Sequence, residues 1–228
     1  MSKDYGIILL PNDETAQQSE KIKHRCQRLL TARNISFSSG GNMPHLTLFQ
    51  IRVDDIDLPK LTETLQYQCQ DLLSFSFLMN DSLIQSDNYI FWCANEAKSV
   101  LRRVHSHIVT LASPYRSKSA DFSQLTAYDK IIHAKDIDDY GIYWCLPHNF
   151  NPHITLVYNI ETKLELTTIF RKIECPRILF QTKAIAIAEL GPYGEARKII
   201  TLIKTFDSTQ QGKQISLSTL RKTTPFLH

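Results

Sequence analysis

Pro44-His45-Leu46-Thr47-Leu48 and Pro152-His153-Ile154-Thr155-Leu156 are one pentapeptide written twice, 108 residues apart, with a single Leu/Ile exchange. The residues that follow, 49–53 and 157–158, are rich in β-formers, which predicts that each copy opens a strand. Alternation along a strand sets His45 and Thr47 on one face and Leu46 and Leu48 on the other. His153 and Thr155 stand likewise against Ile154 and Leu156. Each strand is therefore expected to have a core side and a side carrying one imidazole and one hydroxyl. The matched pair points to an internal duplication.

The other signals are milder. A chain of 228 residues, 43% hydrophobic and 21% charged, can bury a substantial core as one domain or two lobes. A net charge of +3 is compatible with an anionic ligand without requiring one, whereas a dedicated nucleic-acid binder is usually more basic or carries a clustered basic stripe. No run approaches the roughly 18 apolar residues of a membrane span, and the N-terminus lacks the long apolar stretch of a signal peptide. Cys26, Cys69, Cys93, Cys145 and Cys175 never fall as Cys-x-x-Cys, so free thiols in a cytoplasmic protein are expected.

In chain order, residues 5–10 read as a strand, and Asn12 or Asp13 caps a helix reaching about residue 32. Residues 44–53 form the first motif strand, and a helix follows to about residue 73. Residues 75–85 and 89–94 read as a hairpin, and 96–111 as a helix with an apolar stripe. His105 and His107 on that helix face different ways and read as surface or half-buried. Residues 140–146 and 153–158 read as strands, 162–172 as a helix, and 178–190 with 196–206 as a final hairpin around Gly191-Pro192-Tyr193-Gly194. Trp144 and Phe49 are assigned to the core. The boundaries expected are one domain over 1–206, with 113–139 as an insertion or lid, and a polar tail over 207–228. Strands and helices intermingle in two similar halves, which predicts an α+β fold with antiparallel sheets.

The two His-x-Thr-x runs, His45-Leu46-Thr47-Leu48 and His153-Ile154-Thr155-Leu156, resemble the signature of the 2H phosphoesterase superfamily. That superfamily includes the RNA 2′,3′-cyclic phosphodiesterases also described as 2′–5′ RNA ligases. The resemblance implies a bilobal, pseudo-twofold fold whose two antiparallel sheets face a central cleft, with helices outside. It implies activity on a nucleotide or RNA-end phosphodiester, foremost a terminal 2′,3′-cyclic phosphate. Cleavage or ligation of 2′–5′ linkages and trimming of RNA 3′ ends belong to the same superfamily.

The chemistry explains the residue types. Opening a cyclic phosphate needs a base for the attacking water and an acid for the departing ribose oxygen, and imidazole, with a pKa near about 6.5, serves as either. His45 and His153 are the expected catalytic pair. Thr47 and Thr155 are expected to donate hydroxyl hydrogen bonds to the phosphate oxygens, their branched side chains limiting rotamer loss. Tyr158 and Tyr193 are candidate substrate contacts that could stack on a base; Arg52 and Arg197 could offset phosphate charge, but a solvated position is the first expectation for both. No metal or other cofactor is expected, no carboxylate standing beside either motif, and the protein is expected to act as a monomer on an RNA 3′ end or small nucleotide, with no membrane partner. Two alternatives remain open: a catalytically silent nucleotide- or RNA-binding module, and a metal-dependent phosphohydrolase built on Asp54, Asp55 and Asp57.

Overall fold

Asn12 accepts a hydrogen bond from the backbone N–H of Thr15 at 3.2 Å and so caps α1 (Asp13–Thr31), directly after β1 (Ser2–Pro11). A cap of this kind is worth about 1 kcal/mol, and Asp13 and Glu14 in the first turn complement the helix dipole. The computed structural model describes residues 1–38, 41, 43–72, 74–86, 88–117, 149–161, 166–170 and 172–206. The remaining elements are β2 (Leu46–Asp54), α2 (Leu58–Cys69), β3 (Ser76–Leu78), β4 (Leu83–Ser86), β5 (Tyr89–Cys93), α3 (Lys98–Ala112), β6 (His153–Val157), the four-residue α4 (Thr167–Phe170), β7 (Leu179–Leu190) and β8 (Ala196–Thr205).

Among the described residues every ladder is antiparallel, as the α+β expectation requires. The strand order is β3-β7-β1-β2-β6-β5-β4, with β8 beside β7. The two sheets of the expectation are joined into one path, and the joint is a single residue pair, Leu46 opposite Ile154. Each of those residues directly follows its motif's histidine, so the two motif strands touch where their histidines stand.

Residues 75–85 do not form one strand, contrary to expectation. The run breaks at Asn80-Asp81-Ser82: β3 pairs with β7, whereas β4 pairs with β5. Asn80 stabilises the break with its own polar groups, its carbonyl accepting the Trp92 indole N–H at 2.7 Å and its side chain accepting Asn95 N–H at 3.1 Å. Of the helix expected over 162–172 the structure describes α4 and its surroundings, and of the expected lid only its first residues, with a short 3-10 turn at Ser113–Tyr115. The expected strand at 140–146, Trp144, most of the lid and the tail over 207–228 lie outside the described residues.

The larger core lies between the sheet and the helices, with α1 against β6, α3 against β2 and α2 against β8. Tyr5, Ile7, Leu9, Leu46, Leu48, Phe49, Trp92, Ile154 and Leu156 are all buried there. A side chain of this kind contributes about 1.5–3 kcal/mol on full burial. A separate small cluster of Ile8, Ala186, Ala188 and Ala196 lies apart from it, flanked by Leu10, Met43, Leu190 and Ile199. Ile8 stands opposite Thr47 on one side and Ala186 on the other, so this cluster floors the face that carries the first motif's hydroxyl. No helix among the described residues is long and apolar enough to cross a membrane.

Candidate active site

Leu46 and Leu48 are buried in the core while Thr47 between them is partly exposed, the alternation expected of β2. The alternation then resets. Ile7 pairs with Phe49 but Ile8 with Thr47, so Leu48 has no partner in β1 and forms a bulge. In β6 the same position breaks the ladder: Ile90 pairs with Val157 and Phe91 with Thr155, leaving Leu156 over. In each strand the bulged residue is the last of the His-x-Thr-x run. Phe49 and Val157, next in sequence, are therefore buried where simple alternation would turn them outward.

Both histidines are held by the backbone two residues upstream. The Nδ1–H of His45 donates to the Met43 carbonyl at 2.8 Å, and that of His153 to the Asn151 carbonyl at 2.6 Å. A carbonyl can only accept, so Nδ1 carries the proton in both neutral rings and Nε2 keeps its lone pair. The proline inside each step, Pro44 or Pro152, explains the fold-back. It fixes its own φ and pushes the residue before it to extended backbone, so the upstream carbonyl is presented to the ring.

His45 is 5% exposed and His153 partly buried. Burial lowers the pKa of both imidazoles. For His153 it brings the value down to about 4, opposed by the Asn151 carbonyl and assisted by the charge of His45, which places the two rings within electrostatic reach. Phe91 closes one side of the second site: its ring stacks on the His153 ring at 3.8 Å between centroids, and Tyr89 stacks on Phe91 at 5.8 Å. Phe91 was missed in the sequence because it sits in an ordinary strand 62 residues upstream of His153, and only the β5–β6 pairing brings it there.

The other candidates separate. Tyr158 is 5% exposed, hydrogen-bonds the Thr155 side chain, and has its phenol pKa raised by burial. Tyr193 is more open, in the turn between β7 and β8, where its N–H donates to Glu195 Oε2 at 2.9 Å. The buried Glu195 carboxylate also takes the Arg197 guanidinium at 2.9 Å. Arg52 is engaged by Asp4 at 2.5 and 2.7 Å. Asp55 pairs with the N-terminal amine and Asp57 with Lys60. No group of three metal-ligating side chains occurs among the described residues. His105 departs from its surface or half-buried expectation, being fully buried.

The β7–β8 turn packs onto the first motif's approach. A Cβ on Gly41 would collide with the Ala196 carbonyl oxygen, and one on Gly194, whose φ is +78°, would lie 2.9 Å from Gln50 Nε2. Gly41→Ala is expected to shift the loop that carries Met43 and to cost about 1–3 kcal/mol, measurable as a lowered urea midpoint; an unchanged midpoint would show that the loop yields freely.

The chain thus combines helices with one antiparallel sheet, in which the two His-x-Thr strands pair at Leu46 and Ile154, each directly after its motif's histidine. The family model of the 2′–5′ RNA ligase superfamily matches residues 11–191, and the chain belongs to that superfamily. No curated protein is a significant match. Among solved structures the chain resembles E. coli LigT complexed with 3′-AMP, at TM-score 0.55 and 13% identity over 90% of this chain and 99% of that one. LigT complexed with NADP+ gives 0.52 and 11% over 90% and 99%. TT0787 of Thermus thermophilus gives 0.55 and 14% over 87% and 96%.

Proposed function

We propose that the chain is a metal-independent phosphoesterase that opens a 2′,3′-cyclic phosphate on a nucleotide or RNA end, using His45 and His153 as a general acid and base. The supporting observation is that both imidazoles share one tautomer, each with Nδ1–H tied to a carbonyl and Nε2 left to exchange a proton. One Nε2 takes a proton from water as the water oxygen bonds to phosphorus. The other, protonated, gives its proton to the ribose oxygen as its bond to phosphorus breaks, and the product is a monoester. Charge that builds on the non-bridging oxygens meets the hydroxyls of Thr47 and Thr155. We assign Tyr193, open at the turn, to contact with the substrate, and the buried Tyr158, hydrogen-bonded to Thr155, to support of that hydroxyl. The nucleotides in the two LigT structures accord with a small nucleotide or RNA 3′ end as substrate. The buried free thiols of Cys26, Cys69, Cys93 and Cys175 suit a reducing, cytoplasmic setting.

Incubation with 2′,3′-cyclic nucleotides in the presence of a chelator tests this reading. Monoester is expected to form at the same rate with and without chelator. Tight binding with no turnover of any diester would assign the chain to the silent binding modules, and turnover abolished by chelator would move it to metal-dependent hydrolysis.

A further inference from the structure

We propose that His105 is a positioning residue that holds the two histidine motifs in one geometry. This rests on the phosphoesterase reading for its effect on rate, but its structural part stands separately. His105 lies on α3 and is fully buried. Its Nδ1–H donates to the carbonyl of Leu48, the residue that the bulge removes from the β1–β2 pairing. Its ring stacks on Phe150, with centroids 4.4 Å apart and planes 13° from parallel. Leu48 directly follows Thr47. Phe150 directly precedes Asn151, whose carbonyl holds His153. One imidazole therefore touches the chain beside the first motif's hydroxyl and the chain beside the second motif's anchor.

The residue type follows from those two contacts. A bulge leaves a buried carbonyl that needs a donor. Stacking on Phe150 needs a flat ring. Phenylalanine supplies the ring without the donor, asparagine the donor without the ring, and histidine supplies both from one side chain. His105 does not itself touch the reacting atoms; it acts through Leu48 and Phe150. The β2–β6 ladder offers only the Leu46–Ile154 pair to register the two motifs, so a second tie between them has a use.

The full-length chain is compared with its His105→Phe, His105→Asn, Phe150→Leu and Ile108→Val variants, the last trimming another buried residue of α3. Three quantities are measured: kcat and KM on a 2′,3′-cyclic nucleotide, the 15N tautomer spectra of His45 and His153 without ligand, and the urea midpoint. His105→Phe is expected to lower kcat by about 10²-fold, as an ångström-scale misplacement of catalytic groups does. KM should change much less, and the His153 spectrum should no longer show the Nδ1–H form alone. His105→Asn is expected to recover part of the rate. A rate loss in His105→Phe no larger than that of Ile108→Val, with unchanged spectra, would overturn the proposal. If the wild type turns over no diester, the phosphoesterase reading fails and the tautomer spectra alone decide this one. If His105→Phe does not fold, Phe150→Leu breaks the same stack from the other side and is expected to alter the same His153 signal; an unaltered signal there would overturn the proposal equally.

Discussion

His45→Ala and His153→Ala are each expected to lower kcat on a 2′,3′-cyclic nucleotide by about 10²–10⁴-fold, the range carried by one general acid or base. At pH 7.5 both rings are neutral in the folded chain, because burial holds their pKa values below the usual 6.5. Each forms one hydrogen bond to a backbone carbonyl. Losing such a bond costs about 0.5–1.5 kcal/mol, which lowers Tm by only a few degrees in a chain of this size. Activity and stability are thus expected to part company, in kinetics and calorimetry on the same samples. Retention of wild-type turnover by either variant would remove that histidine from the reaction, and a collapse of Tm in both would assign them to structure.

The wild type's kcat/KM is expected to follow a bell with its maximum on the acid side of pH 6.5. The free enzyme sets that profile, and the apparent values belong to the coupled pair of imidazoles. With His153 at about 4 and His45 also depressed, the singly protonated pair is most populated below 6.5. Above the upper apparent pKa the rate constant falls tenfold per pH unit, so between pH 6.5 and 8.5 the loss is about 10²-fold. A phosphodiester anion between the rings stabilises imidazolium, and the kcat profile is expected to lie at higher pH than that of kcat/KM. A profile flat from pH 5 to 9 would rule out the paired-imidazole scheme.

The same depressed values set a stability trend. Between the unfolded value of 6.5 and the folded value of about 4, the unfolded chain binds a proton at His153 that the folded chain refuses. Stability is therefore intact above pH 6.5 and falls as the pH drops through that window. His153→Ala removes this penalty, so the variant is expected to lose less stability on acidification than the wild type.

The motif faces were legible because a strand's period of two is written directly into His-x-Thr-x: Leu46, Leu48, Ile154 and Leu156 went to the core as read. The first helix, announced by Asn12, and the last hairpin, announced by Gly191-Pro192-Tyr193-Gly194, were legible through local turn and cap chemistry. The split of residues 75–85 was not, because both pieces are good β-former sequence and only their different partners separate them. The metal and binding-module alternatives likewise turn on chemistry that spacing alone does not carry.

Local sequence determined which side of each motif strand carries an imidazole and a hydroxyl, since neighbouring side chains of one strand need no distant partner to be placed. The tertiary structure alone decided that the two strands meet at Leu46 and Ile154, that Phe91 covers His153, and that His105 reaches from α3 to Leu48 and Phe150. Those contacts join residues tens of positions apart, and their energy comes from packing and from satisfying buried backbone groups, neither of which leaves a periodic mark in the chain.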